Sequence, residues 1–284
     1  MLADLASVRY GDGIVLARVE KGGLYLLRDP KGDPITPLRL FEGLPSSIRL
    51  LEGAQASEPI GDLRRQLEPP VPSPSKVIGI GKNFREHAIE MKSEARPVYF
   101  MKAPSALVGH LHVIDVPAFV QKPDYEGEVV IVIGRKVKLA GVKEAKESIL
   151  GFMAGNDVTA RDLQYDVCMP WCLSKSLDTF SPTGPYLRLI SDYSELEGLC
   201  LETYLNGERV QRGCASDMSL SFAEIVADLS RYMTLLPGDL IFTGTPPGVG
   251  HPRGRYLRDG DLLEVAVSGL DRLVNPVKRA SLRP

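Results

Sequence analysis

The chain has 284 residues, of which 44% are hydrophobic and 25% are charged, and its formal net charge is −2 at pH 7. This composition supplies a folded core, and the absence of a basic excess argues against a nucleic-acid-binding protein. No apolar run approaches the ~20 residues of a membrane-spanning helix, and the opening MLADLASVRYGDG lacks the pattern of a secretion signal, so we expect a cytoplasmic protein without membrane or nucleic-acid partners.

The first part of the chain predicts a small β-rich domain over residues 1–68. The segments GIVLARVE and GGLYLLRD have the composition of strands and are separated by glycine turns. The proline-rich residues 69–75 follow, and such a segment can join neither a helix nor a central strand. We therefore predict a linker at 69–75 and a larger domain over 76–284.

The larger domain predicts many short strands and a few helices. The strands include KVIGIG before a glycine-flanked turn, the buried VVIVIG at 129–134, and the segments PGDLIFTGT and DGDLLEVAVSGL. Helices are expected over about 84–92, 142–151 and 222–235, and Asn206-Gly207 is typical of a hairpin turn. This pattern indicates an α+β, β-rich fold.

The four cysteines show no pairing pattern. Cys168, Cys172, Cys200 and Cys214 contain no CxxC pair, and a zinc site would require a second pair of ligands. We expect reduced thiols, as in cytosolic proteins.

Two acidic residues stand at the start of the buried strand. Glu126 and Glu128 are two residues apart, so their side chains point to the same face of a strand and repel one another. A hard divalent cation would relieve that repulsion, since it prefers oxygen ligands; alternatively, both side chains face solvent. Asp157 in GNDVTARD could complete the ligand set, although spacing alone does not bring it to the glutamates.

A histidine and a glutamate form a second candidate pair. His87 and Glu90 are three residues apart on a predicted helix, where their side chains are neighbours. A carboxylate beside an imidazole fixes its tautomer and raises its basicity, so the pair could deprotonate water or a carbon acid; the alternative is a surface ion pair. Gly79 and Gly81 precede this helix and could let it move as a lid.

Over residues 76–280 the sequence resembles the fumarylacetoacetate hydrolase family. The resemblance is carried by an ordered series of motifs, which are GIGKNFREHAIEM, YEGEVVIVIGR, GNDVTARDLQ, WCLSKSLDTFSPTGPY, LNGERVQ and LLPGDLIFTGTPPGVG. It implies a mixed β-sandwich roll of the family's C-terminal-domain type. The small N-terminal domain is similar to that of bacterial and archaeal members, and the resemblance also implies a homodimer.

The resemblance also assigns functional residues. It implies Mg²⁺ or Mn²⁺, for which Ca²⁺ could substitute, bound by Glu126, Glu128 and Asp157. A further aspartate ligand of the family's full-length hydrolase has no counterpart here, because IGIGKNF offers no carboxylate. The implied catalytic residues are His87, Glu90 and Lys175, and the implied substrate-binding residues are Arg161, Gln164, Thr243, Gly244 and Thr245.

Three neighbours of these residues have expected roles of their own. We expect Asp162 to orient Arg161 rather than to bind metal. We expect Tyr165 and Met169 to influence which substrate is accepted.

The activity implied by the resemblance is metal-dependent chemistry on 2-oxo acids or 1,3-diketo acids through an enolate. The outcomes are C–C bond hydrolysis of an acylpyruvate or 2,4-dioxo acid, or isomerisation and decarboxylation of 2-hydroxyhepta-2,4-diene-1,7-dioate. Oxaloacetate decarboxylation or tautomerisation is an alternative, as is a catalytically silent metal-binding scaffold. The sequence does not choose among them, because one fold and one site can serve several reactions.

Overall fold

Strands dominate the part of the chain that the computed structural model describes, which comprises residues 4–42, 51, 53–91, 97–166 and 171–280. The strands are β1 (Asp4–Tyr10), β2 (Gly13–Glu20), β3 (Gly23–Arg28), β4 (Gln55–Asp62), β5 (Val77–Gly81), β6 (Val98–Lys102), β7 (Leu107–Val108), β8 (Ile114–Val116), β9 (Pro123–Asp124), β10 (Gly127–Ile133), β11 (Ile149–Asn156), β12 (Thr159–Ala160), β13 (Ser181–Leu189), β14 (Cys200–Leu205), β15 (Glu208–Cys214), β16 (Leu240–Phe242), β17 (Leu262–Val267) and β18 (Leu273–Arg279).

The α-helices are short, apart from the last. They are α1 (Pro37–Glu42), α2 (Arg85–Glu90), α3 (Val142–Lys146), α4 (Arg161–Gln164), α5 (Trp171–Ser174), α6 (Ser194–Glu197) and α7 (Phe222–Tyr232). Within the described ranges, none has both the length and the apolar character needed to cross a membrane. The β-rich α+β class predicted from the sequence is therefore confirmed.

One large mixed sheet runs through the molecule in the order β4-β3-β2-β1-β13-β11-β10-β16-β5-β6. Most neighbours are antiparallel, whereas β16 and β5 are parallel. A second sheet has the order β15-β14-β17-β18-β8. Ile131 and Phe152 of the large sheet share a core with Leu201 and Val265 of the second sheet, which establishes the sandwich.

The central strand β10 is buried on both faces. Ile131 lies in the core between the sheets, whereas its neighbours Val130 and Val132 lie in a second core on the opposite face. Because successive side chains of a strand point to opposite faces, a strand covered on both sides requires an uninterrupted apolar run. This accounts for the sequence VVIVI.

The N-terminal strands extend the large sheet. β1 pairs with β13, with Asp4 opposite Arg188, and Leu5 and Leu16 belong to the same core as Val130. The division into domains at 1–68 and 76–284, with the linker at 69–75, stays a prediction. In the structure the two parts share one sheet and one core.

Two of the predicted elements differ from the structure. The helix expected over 142–151 ends at Lys146, and β11 begins at Ile149, so the apolar ILG segment belongs to a buried strand. The helix expected over 84–92 spans Arg85–Glu90, and residue 92 lies outside the described residues. The hairpin at Asn206-Gly207 and the helix beginning after Ser221 are confirmed.

The cysteine prediction is wrong for one pair. Cys200 and Cys214 lie opposite each other in the β14–β15 hairpin and form a disulfide. Strand register brings them together across 14 residues of sequence, and no short motif reveals that. Cys172 is a free thiol, and Cys168 lies outside the described residues.

The two glycines expected to act as hinges lie inside β5 and serve close packing. A Cβ at Gly79 would lie 2.2 Å from the ring of Phe100, and one at Gly81 would lie 2.9 Å from the ring of Trp171. Real Cβ atoms do not approach so closely, so the two rings occupy the space that larger residues would fill. Packing rather than hinge motion therefore accounts for both glycines.

Candidate active site

The three predicted metal ligands meet because β10 begins where β11 ends. The two strands are antiparallel, with Gly127 opposite Asn156, so Glu126 and Asp157 lie side by side. The N–H of Asp157 donates to the carbonyl of Glu126 at 2.8 Å. One carboxylate oxygen from each of Glu126, Glu128 and Asp157 lies within 4.8 Å of the other two, and all three side chains are buried.

Glycine between the two glutamates is required by close packing on the other face. A Cβ at Gly127 would lie 2.0 Å from the hydroxyl oxygen of Thr203 on β14. The two glutamates can therefore face the site only if the residue between them has no side chain.

Two buried lysines neutralise part of this acidic cluster. The Lys175 ammonium donates to Glu126 at 2.7 Å and to Asp157 at 2.5 Å, and Lys102 donates to the other oxygen of Asp157. The sequence prediction included Lys175 and missed Lys102. Lys102 ends β6, and the segment FMKAP around it contains no acidic residue and no motif that could have revealed it.

Arg161 is fixed by three acceptors. Its guanidinium donates to Asp124 at 2.9 Å, to Gln164 at 2.8 Å and to Glu126 at 2.6 Å. The expectation that Asp162 orients Arg161 is wrong, because that carboxylate accepts the backbone N–H groups of residues 121 and 122. Asp124 has this role, and the alternation of Asp124 with the two glutamates in DYEGE could have revealed it.

The charge balance of the triad leaves Glu128 the least compensated. Burial raises the pKa of Glu128 well above its usual value, and repulsion from Asp157 and Glu126 raises it further. Burial has the same tendency at Glu126, but the charges of Lys175 and Arg161 outweigh it and lower the pKa of that carboxyl. A cluster that favours an added proton at Glu128 also favours an added cation on electrostatic grounds.

The donor set fits a divalent ion. Three buried carboxylates within reach of one another are hard oxygen ligands of the kind Mg²⁺ and Mn²⁺ accept. The lysines and Arg161 use some of the carboxylate lone pairs, and each ionised oxygen still has others. This part of the structure could therefore bind a metal.

His87 and Glu90 lie together beside the triad. The imidazole Nδ1 is 3.5 Å from a Glu90 oxygen, and among the described residues this buried nitrogen has no hydrogen-bond partner. Both Glu90 oxygens accept the N–H of Gly248, at 3.1 and 3.0 Å. Burial raises the pKa of Glu90, but His87 and Gly248 outweigh it and the net shift is downward.

The TGT turn after β16 supports β10. Gly244 donates its N–H to Glu128 at 2.8 Å, Thr243 donates its hydroxyl to the Val129 carbonyl at 2.8 Å, and Thr245 donates to the Gly127 carbonyl at 2.9 Å. Thr245 also lines the site cavity, whereas Thr243 and Gly244 do not.

These side chains enclose a cavity of about 130 Å³. Its lining consists of Ile80, Gly81, Lys82, His87, Met91, Glu126, Glu128, Arg161, Gln164, Tyr165, Trp171, Lys175 and Thr245. Tyr165 is among them, as expected for a residue that influences specificity, and Met169 lies outside the described residues. A larger groove of about 470 Å³ near Arg135 and Tyr193 contains none of the predicted site residues.

Comparison with known proteins gives consistent matches. The family model described as fumarylacetoacetate (FAA) hydrolase C-terminal matches residues 76–278. Oxaloacetate tautomerase YisK of Bacillus subtilis (strain 168) is 42% identical over 220 residues, which cover 75% of this chain and 73% of that protein. The 2,4-didehydro-3-deoxy-L-rhamnonate hydrolase of Sphingomonas sp. (strain SKA58) is 34% identical over 250 residues, with 86% of both chains covered.

A solved structure also matches almost end to end. The crystal structure of 2-hydroxyhepta-2,4-diene-1,7-dioate isomerase from Mycobacterium marinum gives a TM-score of 0.75 at 33% identity. The match covers 99% of this chain and 100% of that one.

Proposed function

Because this chain belongs to the fumarylacetoacetate hydrolase family, we propose that it is a divalent-metal-dependent enzyme that tautomerises a 2-oxo acid between its keto and enol forms. The observation that carries the proposal is the position of the histidine–glutamate pair. His87 lines the same small cavity as two carboxylates of the buried triad. A base and a cation site that share one cavity suit the transfer of a proton at a carbon beside a carbonyl.

Glu126, Glu128 and Asp157 would hold Mg²⁺ or Mn²⁺, and Ca²⁺ could substitute. When bound, the ion supplies Lewis acidity that polarises the 2-oxo group. Lys102 and Lys175 hold Asp157 in place, and Gly244 does the same for Glu128. The triad is therefore oriented by contacts within the protein.

The proton moves through His87. The imidazole accepts the proton from the carbon beside the 2-oxo group and returns one to the oxygen, so the atoms balance without another reactant. Glu90, fixed by Gly248, stabilises the imidazolium in between. Lys175, whose pKa the neighbouring carboxylates raise against the effect of burial, stays protonated, and its positive charge beside the cavity stabilises the developing oxyanion.

Arg161, Gln164 and Thr245 complete the substrate site. Three of the guanidinium N–H groups of Arg161 are engaged within the protein, which leaves two for a substrate carboxylate. Thr245 and Gln164 line the same cavity and offer further polar contacts.

Hydrolysis of a C–C bond is a second candidate, favoured by the similarity to the rhamnonate hydrolase over 86% of this chain. In that reaction His87 takes a proton from water, and the hydroxide adds to a distal carbonyl of a 2,4-dioxo acid. The C–C bond then breaks, its electron pair stays with the 2-oxo fragment, and that fragment gains the proton.

A homodimer and a cytoplasmic location are further parts of the proposal, and light scattering of the purified protein tests the first.

The test is an assay of the purified protein with Mg²⁺ or Mn²⁺ on enol-oxaloacetate, an acylpyruvate and a 2,4-dioxo sugar acid, each with and without EDTA. We expect chelator-sensitive loss of the enol absorbance of oxaloacetate. The Glu126→Gln variant should lose this activity, whereas Glu147→Gln, at an exposed ion pair with Arg135, should retain it. Cleavage of the acylpyruvate or the dioxo acid with no effect on oxaloacetate would replace tautomerisation by hydrolysis, and inactivity on all three would favour a scaffold.

A further inference from the structure

Lys82 is a cation at the site cavity that the proposed chemistry leaves unused. It lines the same cavity as His87, Glu126 and Lys175. Its ammonium group makes no ion pair or hydrogen bond with any residue in the described ranges. The other cations of the site are all engaged: Lys175 and Arg161 pair with Glu126, and Lys102 pairs with Asp157.

The backbone holds Lys82 in an unfavourable conformation. Its φ of 63° lies in the left-handed region, where a lysine is strained and glycine or asparagine is usual. Residues on both sides are fixed. Gly81 pairs with Val98 and packs beneath Trp171, and the buried Asn83 side chain donates to the carbonyls of Leu220 and Thr243. The Lys82 side chain therefore starts from a rigid point on the cavity wall.

No ion pair or hydrogen bond with the described residues accounts for a lysine at this position. A buried or strained residue that serves only the fold would be expected to make an ion pair, a hydrogen bond or a packing contact in the core. Lys82 is only partly buried and makes no ion pair or hydrogen bond with the described residues. A ligand that carries a negative charge is the partner that this geometry lacks.

We propose that Lys82 selects substrates that carry a second carboxylate, distal to the 2-oxo acid end. The inference rests on the proposed function, because the triad and Arg161 are taken to hold the first carboxylate and the 2-oxo group. With those cations engaged at the inner end, Lys82 is the group left to pair with a second negative charge. The substrate is then a short 2-oxo dicarboxylic acid.

The small volume of the cavity favours a short acid. Its volume of about 130 Å³ is well below the roughly 300–1,000 Å³ of pockets that enclose drug-sized ligands. A molecule of the size of oxaloacetate suits this space and places its two carboxylates at opposite ends.

The experiment compares two stable probes that differ only at the distal end. N-oxalylglycine has the 2-oxo acid end and a distal carboxylate, whereas N-ethyloxamate has a methyl group in place of that carboxylate. Their Kd values would be measured by calorimetry with the Mg²⁺-loaded full chain, for the wild type and for Lys82→Met. Lys21→Met is the matched control, because Lys21 also has a left-handed φ, of 50°, and lies in the exposed turn between β2 and β3.

We expect the wild type and Lys21→Met to bind N-oxalylglycine about tenfold or more tightly than N-ethyloxamate, as for a charge-assisted contact. Lys82→Met should bind the two probes with nearly equal affinity, because its affinity for N-oxalylglycine falls while its affinity for N-ethyloxamate is unchanged. Raising the salt concentration should reduce the difference in Kd between the two probes for the wild type, since Lys82 is partly exposed.

Other outcomes overturn the inference in distinguishable ways. The wild type could bind both probes equally in the presence of Mg²⁺, or Lys82→Met could still prefer N-oxalylglycine. Either result excludes the proposed role of Lys82 and leaves the proposed function standing. If neither probe binds in a Mg²⁺-dependent manner, the proposed function fails and the inference fails with it.

Discussion

Neutralising Glu128 should stabilise the metal-free protein while abolishing its response to metal. In Glu128→Gln the amide oxygen can still accept the N–H of Gly244, so the local hydrogen bond is kept. The substitution removes the repulsion of Glu128 from Glu126 and from Asp157, whose carboxylate oxygens lie within 4.8 Å of its own. Each such pair costs roughly 3 kcal/mol at an effective dielectric constant of about 20, before the attraction of Lys175 reduces it.

The pH dependence of the stability follows from the directions in which the pKa values of Glu128 and Glu126 are shifted. The pKa of Glu128 is raised above its usual value of 4.5, so its contribution to stability is present below pH 4.5 and is lost as pH rises through the folded-state value. The pKa of Glu126 is lowered, so its contribution is present above pH 4.5 and is lost only at more acid pH. Between pH 5 and 8, the Glu128 contribution alone should therefore lower the stability of the metal-free protein.

Metal binding should reverse this trend. Mg²⁺ competes with the proton on Glu128, so its stabilising effect grows as pH rises. At about 100 times its Kd, an ion that binds only the folded state adds about 2.7 kcal/mol. With the unfolding entropy of a chain of this length, this corresponds to a Tm increase of roughly 5 °C.

The assay is thermal unfolding followed by circular dichroism at pH 5, 6.5 and 8, with EDTA or with Mg²⁺. At pH 8 in EDTA, Glu128→Gln should melt several degrees above the wild type, and Mg²⁺ should raise the Tm of the wild type but not that of Glu128→Gln. Glu147→Gln, at a surface pair, should behave as the wild type. The reasoning is refuted if Glu128→Gln melts below the wild type in EDTA or if Mg²⁺ stabilises both proteins equally.

Three further predictions concern other parts of the structure. His87→Asn should lower turnover by about 10²–10⁴-fold while the Mg²⁺-induced rise in Tm persists; parallel loss of both would instead make His87 part of the metal site. His110 accepts the N–H of Val274 and contacts the Leu63 carbonyl, and burial lowers its pKa. The stabilising contribution of His110 is therefore present above about pH 6.5 and is lost as pH falls. In urea titrations, the free energy of unfolding of His110→Gln should fall less steeply from pH 7 to 5 than that of the wild type. Equal falls in the two proteins would contradict this. Reduction of the Cys200–Cys214 disulfide should cost up to about 3 kcal/mol for its 14-residue separation, whereas the double serine variant should not respond to reductant.

Local patterns predicted the elements whose determinants are local. The run VVIVI required a strand buried on both faces, and Ser221 with Glu224 forms the capping box that begins α7. The same-face positions of Glu126 and Glu128 follow from their spacing. For residues 149–151 the local pattern failed, because pairing of β11 with β10 and β13 outweighs the helix propensity of Ile149 and Leu150.

Long-range partners could not be derived from spacing. Asp157 reaches Glu126 through the antiparallel register of β10 and β11, and Lys102 reaches Asp157 across 55 residues of sequence. The family resemblance supplied the first of these and not the second. The pairing of Cys200 with Cys214 depends in the same way on a register that sequence alone leaves open.

The pairing of β1 with β13 has a consequence for synthesis of the chain. Asp4 forms an ion pair with Arg188, 184 residues later, and the two lie opposite each other in the strand ladder. The first four strands are antiparallel neighbours and can form as a meander soon after they leave the ribosome. The edge at β1 stays unpaired, and the apolar face that carries Leu5 and Leu16 stays uncovered, until most of the remaining chain has been synthesised.

During that interval an unpaired strand edge and an exposed apolar face coexist, which is the combination that promotes misassociation of nascent chains. Contacts of such large sequence separation also slow the final closure. The chain should therefore reach its native state late, with the N-terminal meander open to misassociation until β13 pairs with β1.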